Sequence, residues 1–190
     1  MLHRGKKLKI AKIFPTPKKL RATHVDDFRP ISILPSISKV CEKVVQKQLR
    51  NYFEDHKPLY TSHYGFHKFH STELASQELT DRLLWMTEAN LIPIGIFIDI
   101  SKALDIINHQ ILLSKLEHYG VKSNERRLLQ SHLSDREQFK AIDRITPMVG
   151  SVTTGVPQSS ILSPLLLYVY INDISKIEDI YRLRLYKLYL

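Results

Sequence analysis

The chain has 190 residues, with 28 Lys+Arg against 19 Asp+Glu and a formal net charge of +9. At 43% hydrophobic and 25% charged it has the composition of a globular protein of one domain or slightly more, and not that of a disordered or collagen-like chain. Its single cysteine excludes a disulfide framework and four-thiolate zinc modules. No apolar run approaches the roughly 20 residues that span a bilayer, and the first residues lack the apolar stretch of a secretory leader. The expectation is an intracellular protein, in nucleus or cytoplasm, with no membrane partner and no call for an obligate oligomer.

The charge is concentrated at the start. Residues 1–21 hold Arg4, Lys6, Lys7, Lys9, Lys12, Lys18, Lys19 and Arg21 and no acid, which leaves 20 basic and 19 acidic side chains for all the rest. Such an arm suits a polyanion or is simply a solvated tail. Within it, Ile10–Pro17 reads as an edge strand because its prolines cannot donate to a ladder, and residues 26–30 read as a loop. From Ser36, as a cap, Ile37, Val40, Cys41, Val44, Val45, Leu49, Tyr52 and Phe53 recur at helical spacing, which predicts a helix with Cys41 in its buried stripe. A second helix is predicted from a Ser71 cap, with Leu74, Ala75, Leu79, Leu83 and Met86 inward and Glu73 in its first turn.

The period then changes to two. Isoleucines 94, 96, 98 and 100 share one face of a predicted buried strand, and Asp99 stands on the other face near its end. A helix with Ile111, Leu112, Leu116 and Tyr119 inward and Gly120 as its stop follows, then a short helix over residues 124–133. Strands are predicted at 138–142 and 148–153 around a turn at Pro147. Ser160 and Pro164 open an apolar helix through Leu165, Leu166 and Val169. The last ten residues alternate as a strand. The overall expectation is α/β, with helices packed on a sheet.

Asp99 is the residue that asks for chemistry. A buried carboxylate is costly unless it is hydrogen-bonded, paired or metal-bound, and by itself Asp99 reads first as a capping or hydrogen-bonded acid at a strand end and only second as a ligand. Other segments supply context. Residues 12–19 (KIFPTPKK), 28–34 (FRPISIL), 64–72 (YGFHKFHST), 97–105 (FIDISKALD), 155–166 (GVPQSSILSPLL) and 170–174 (YINDI) together resemble, in family order, the reverse transcriptase domain of non-long-terminal-repeat (LINE-like, jockey-type) retrotransposons.

That resemblance implies a right-hand polymerase core with fingers and palm and without the thumb. Its parts would be a basic arm and fingers-like segment at 1–92, a palm strand and helix at 93–119, a connection at 120–150 and a truncated palm continuation at 151–190. It also implies RNA-directed DNA synthesis on an RNA template and DNA primer from deoxynucleoside triphosphates, with two Mg²⁺ ions on the attacking and leaving oxygens. Asp99 would be the first catalytic, metal-holding carboxylate, and the backbone at Ile100 would approach the triphosphate. Arg29 would grip the phosphates with its planar fork, with Lys18 or Lys19 as a second contact. Gln158 would lie beside the nucleotide sugar and template base, and Leu104 would stand at the position that screens the 2′-hydroxyl.

The departures from the family pattern are equally specific. An aromatic-Ala-Asp-Asp turn is expected after residues 170–174, and here residues 183–190 read LRLYKLYL. With one carboxylate in place of three, the expectation is no polymerase activity from this chain alone. Leu104 replaces an aromatic, Ser159 and Ser163 replace glycines, and His67 replaces an arginine. The competing expectation is a non-enzymatic nucleic-acid-binding protein that uses the arm and the fingers remnant.

Overall fold

The computed structural model describes residues 8–56, 59, 64, 71–93, 99–140 and 149–176. They fall into two compact units. One joins Met1–His56 with Lys102–Tyr170, and the other joins Lys57–Ser101 with Ile171–Leu190. Among the described residues there are four strands and five α-helices.

The first unit is built on a mixed sheet of order β2-β1-β3-β4. β1 (Ile10–Pro17) pairs antiparallel with β2 (Phe28–Ile33), in a register that sets Phe14 opposite Ile31 and Thr16 opposite Arg29. It also pairs parallel with β3 (Arg136–Lys140), from Ile10 opposite Glu137 to Ile13 opposite Lys140. β3 pairs antiparallel with β4 (Val149–Val152). β1 is therefore an interior strand, not the edge strand expected. Its prolines are accommodated because the pairing with β3 ends at Ile13, before Pro15 and Pro17. The expected loop at 26–30 is also corrected: a single 3-10 turn at Val25–Asp27 leads directly into β2. Along β1, Ala11 and Ile13 are buried and alternate with half-exposed or exposed Lys12 and Phe14, as a strand with one face on a core requires.

α1 (Ser36–His56) forms as its periodicity predicts, but with a different inward face. Ser38, Glu42, Leu49 and Phe53 are buried, while Ile37, Val40 and Val44 are exposed. Cys41 is exposed too, which corrects its expected place in the core. Ser36 is the first helical residue and not a cap outside it.

α3 (His109–His118) and α4 (Ser123–Leu133) pack together. Asn108 caps α3 by accepting from the backbone N–H of Gln110 at 2.9 Å and of Ile111 at 3.2 Å. Leu112, Leu116 and Leu133 are fully buried, each contributing on the order of 2 kcal/mol of apolar transfer. Ile111, expected inward, is exposed. Gly120 ends α3 at φ +93, and a side chain there would meet the ring of Tyr52 from α1. α5 (Ser163–Ile171) is apolar all round and buries Leu165, Leu166 and Val169. It begins at Ser163, three residues later than Ser160.

In the second unit, α2 (Thr72–Glu88) is capped as expected, with Ser71 Oγ accepting from Leu74 N at 3.3 Å. Only Ala75 of its predicted stripe is buried; Leu74 and Leu83 are exposed. Residues 94–98 of the predicted strand before Asp99, the turn at Pro147, the alternating segment 181–190, and His67 lie outside the described residues. No helix among the described residues is long and apolar enough to cross a membrane.

Candidate nucleotide-facing site

The loop Gly155-Val-Pro-Gln is fastened to the turn at residues 101–107. Gly155 N donates to Ile107 O and Val156 N to Leu104 O, both at 2.8 Å. The His109 ring nitrogen Nε2 lies 2.7 Å from Gly155 O. Glycine is required at 155. Its φ is +78, and a Cβ would come within 2.8 Å of the Asp105 backbone and of Leu104 O, neither of which can move aside cheaply. Gln158 reaches the same turn with its side chain, donating from Nε2 to both carboxylate oxygens of Asp105 at 3.2 Å. Ser163 Oγ donates to Pro157 O at 2.8 Å and closes the loop onto the start of α5.

On its other flank the loop is held by Glu42. This carboxylate, on α1, is only 3% exposed. Its Oε2 accepts from Ser160 Oγ and from Ile161 N, each at 2.9 Å. Its Oε1 lies 4.0 Å from His132 Nε2 at the end of α4. Burial, reinforced by the charges of Arg136 and Lys9, pushes the His132 imidazole down to about 4, so the ring is neutral at ordinary pH. Arg136, itself 3% exposed, donates to His132 O at 3.0 Å. Burial lowers its pKa and the Glu42 charge opposes that shift. The Glu42 charge favours the charged guanidinium, although Glu42 Oε1 and Arg136 Nη2 are both buried without a hydrogen-bond partner.

The hairpin of β1 and β2 carries the expected cations. Lys18 N donates to Asp27 O at 2.8 Å, and Lys18 Nζ donates to Asp26 O at 2.8 Å. Lys19 Nζ pairs with Asp27 Oδ1 at 2.8 Å. That bond, with the N–H groups of His24 and Thr23, holds the Asp27 carboxyl below its usual range. Asp26 pairs with Lys102 at 3.2 Å, which ties the hairpin to the turn that carries Leu104 and Asp105. Both acids being so engaged, Arg29 is exposed on β2 with no ion pair among the described residues.

Lys18, Lys19, Arg29, Leu104, Asp105 and Gln158 therefore belong to one unit. Asp99 and Ile100 belong to the other, where Asp99 is exposed and Ile100 half-buried. Among the described residues no three His, Cys, Asp or Glu side chains come together as a metal-holding group. Asp99 and the described residues alone do not fit a two-cation site. Two residues that the motif reading passed over are Glu42 and Asp105 as tethers. The signal for Glu42 was a lone acid inside an apolar helical stripe. For Asp105 it was an acid one residue after the Leu104 position.

The chain matches the pattern of the reverse transcriptase (RNA-dependent DNA polymerase) family over residues 16–181, and it belongs to that family. Among characterised proteins it is 30% identical over 155 residues to the probable RNA-directed DNA polymerase from transposon BS of Drosophila melanogaster, a match over 78% of this chain and 16% of that protein. It is 28% identical over 151 residues to the RNA-directed DNA polymerase from mobile element jockey of the same fly, over 80% and 16%. It is 30% identical over 146 residues to the probable RNA-directed DNA polymerase from transposon X-element, over 77% and 16%. The chain thus spans about a sixth of the length of these relatives. The jockey-type resemblance read from the motifs is borne out.

Proposed function

We propose that the chain is fingers and palm of a retrotransposon reverse transcriptase, and that its share of the work is to hold an incoming deoxynucleoside triphosphate against an RNA template and DNA primer. One observation carries this reading. Two segments some fifty residues apart, Leu104–Asp105 and Gly155–Gln158, are joined by the Leu104–Val156 and Asp105–Gln158 hydrogen bonds. In this reading Arg29 binds phosphate oxygens bidentately, because its guanidinium is uncommitted and its fork matches them. Lys18 and Lys19 supply further positive charge, and Lys19 exchanges Asp27 for phosphate. Leu104 leaves a slimmer screen against a 2′-hydroxyl than an aromatic would. Asp99 belongs to the other unit, and the described residues bring no set of carboxylates together for the Mg²⁺ that the family uses.

The test is binding of a poly(rA)–oligo(dT) template–primer and of dTTP to the full chain, measured by fluorescence anisotropy across a salt series. The expected result is affinity for both. Template–primer affinity should fall steeply with salt as phosphate contacts release counterions. The triple variant Lys18→Ala, Lys19→Ala, Arg29→Ala should lose dTTP. Template–primer binding with no dTTP binding would make the chain a nucleic-acid-binding module instead, and binding of neither would sink both readings.

A further inference from the structure

We propose that Glu42 is a latch with two positions. In the one this structure shows, it holds Ser160 and Ile161. In the other it turns to the guanidinium of Arg136, and the stretch 159–162 is released while the buried charge stays paired. The latch is independent of the nucleotide-holding reading, which its failure in the test below would leave standing.

Three polar atoms point to it. Glu42 Oε1, His132 Nε2 and Arg136 Nη2 are each buried, and none has a hydrogen-bond partner among the described residues. They come from α1, α4 and β3 and surround one residue. Oε1 lies 4.0 Å from the His132 ring, and the second guanidinium nitrogen, Nη1, donates to His132 O at 3.0 Å. A buried polar group left unpaired is costly, and a charged one more so. Oε1 only accepts and Nη2 only donates, so each is what the other lacks. Glu42 instead spends Oε2 on two neutral donors, Ser160 Oγ and Ile161 N, each at 2.9 Å. Turning to Arg136 gives up those two bonds for a charge-assisted one with a fork-shaped donor. Neither position satisfies every group, and this brings the two close in free energy.

The part that moves is bounded by its neighbours. Gly155 and Val156 are fastened to the turn at 104–107, and Ser163 Oγ to Pro157 O, by bonds in which Glu42 has no share. Between them Ser159 Oγ is also buried without a partner, so the released stretch is one whose polar groups are already incompletely met.

The experiment is amide hydrogen exchange on the full chain at pH 7.5, read at Ile161, whose N–H the latch holds, against Leu116 in the fully buried part of α3. A released state populated at about 0.1–10% protects Ile161 by about ten- to a thousandfold, with Leu116 protected more strongly. Arg136→Met keeps the bulk and removes the second position. It should slow Ile161 relative to Leu116 by about three- to tenfold, because the carboxylate then has only the loop to bond. An ordinary tether with one position would exchange no more slowly in that variant. Ile161 as protected as Leu116 in the unaltered chain, or a relative rate that does not fall in Arg136→Met, overturns the latch. Should Arg136→Met not fold, Arg136→Gln, which can still donate to His132 O, is read in the same way. Should neither fold, nitrogen relaxation dispersion on the unaltered chain decides: one common exchange rate at Ile161 N and Arg136 Nε supports the latch, and different rates or none overturn it.

Discussion

The turn at Val25–Asp27 and the loop at residues 155–163 are both tied down by carboxylates, one in water and one out of it. Asp26 is 84% exposed where it meets Lys102, and Lys19 is 60% exposed where it meets Asp27. Solvent and salt screen such pairs, and they fix geometry more than they stabilise. Glu42 is buried with its charge opposite Arg136, and each bond it accepts has no water to replace it. The contrast fits a division of labour. Under the proposed function, cations that exchange partners for phosphate are better held loosely, and the loop beside them is better held firmly.

Three measurements would break or sharpen this contrast. The largest effect is expected at Glu42. Glu42→Ala leaves Ser160 Oγ and Ile161 N without their acceptor in the interior and should lower the unfolding free energy by about 2–4 kcal/mol in urea titration. A loss under about 1 kcal/mol would mean that the buried seam is no stronger than the surface one. Next is acid. Because the folded His132 takes up its proton only near pH 4, its contribution is complete above the unfolded value of 6.5. As pH falls from 6.5 toward 4 the unfolded chain protonates first, and stability drains by about 3 kcal/mol. The difference in urea midpoint between the unaltered chain and His132→Gln should shrink across that window, and a difference independent of pH would refute the neutral ring. The smallest effect is at the surface. Lys19→Ala should leave the urea midpoint unchanged and reduce the salt slope of template–primer binding by about one. A shifted midpoint would show that the hairpin pair does hold the fold.

Elements governed by local chemistry were legible in the sequence. The Ser71 cap, the stop at Gly120, the apolar positions Leu112 and Leu116, and strands at 10–17 and near 138 and 149 follow from neighbours within one or two turns. What was not legible depends on distant partners. The α1 stripe reads as Ile37, Val40, Cys41 and Val44, yet the helix turns Ser38 and Glu42 inward, where Ser160 and Ile161 donate to Glu42 from 118 and 119 positions away. Periodicity counts apolar side chains and has no entry point for a buried acid whose partner is elsewhere. β1 was misplaced for the same reason. Its prolines argue for an edge, and only the parallel pairing with residues 136–140 makes it interior. The motifs located Gln158 and Leu104, but they could not show that Asp105 takes the amide.

That parallel pairing also orders events in time. β1 and β2 can close as a hairpin as soon as both have been made, whereas β1 cannot meet β3 until the chain has grown past residue 137, and Lys9 finds Ser134 only across 125 positions. Until then the inner edge of β1 is an open ladder next to a strongly basic arm, free to pair with whatever strand passes. By contact order, the pairing of β3 onto β1 is the step expected to be slowest in folding this unit. Synthesis speed and chaperone cover during that interval should set the yield of folded chain more than the final stability of the sheet does.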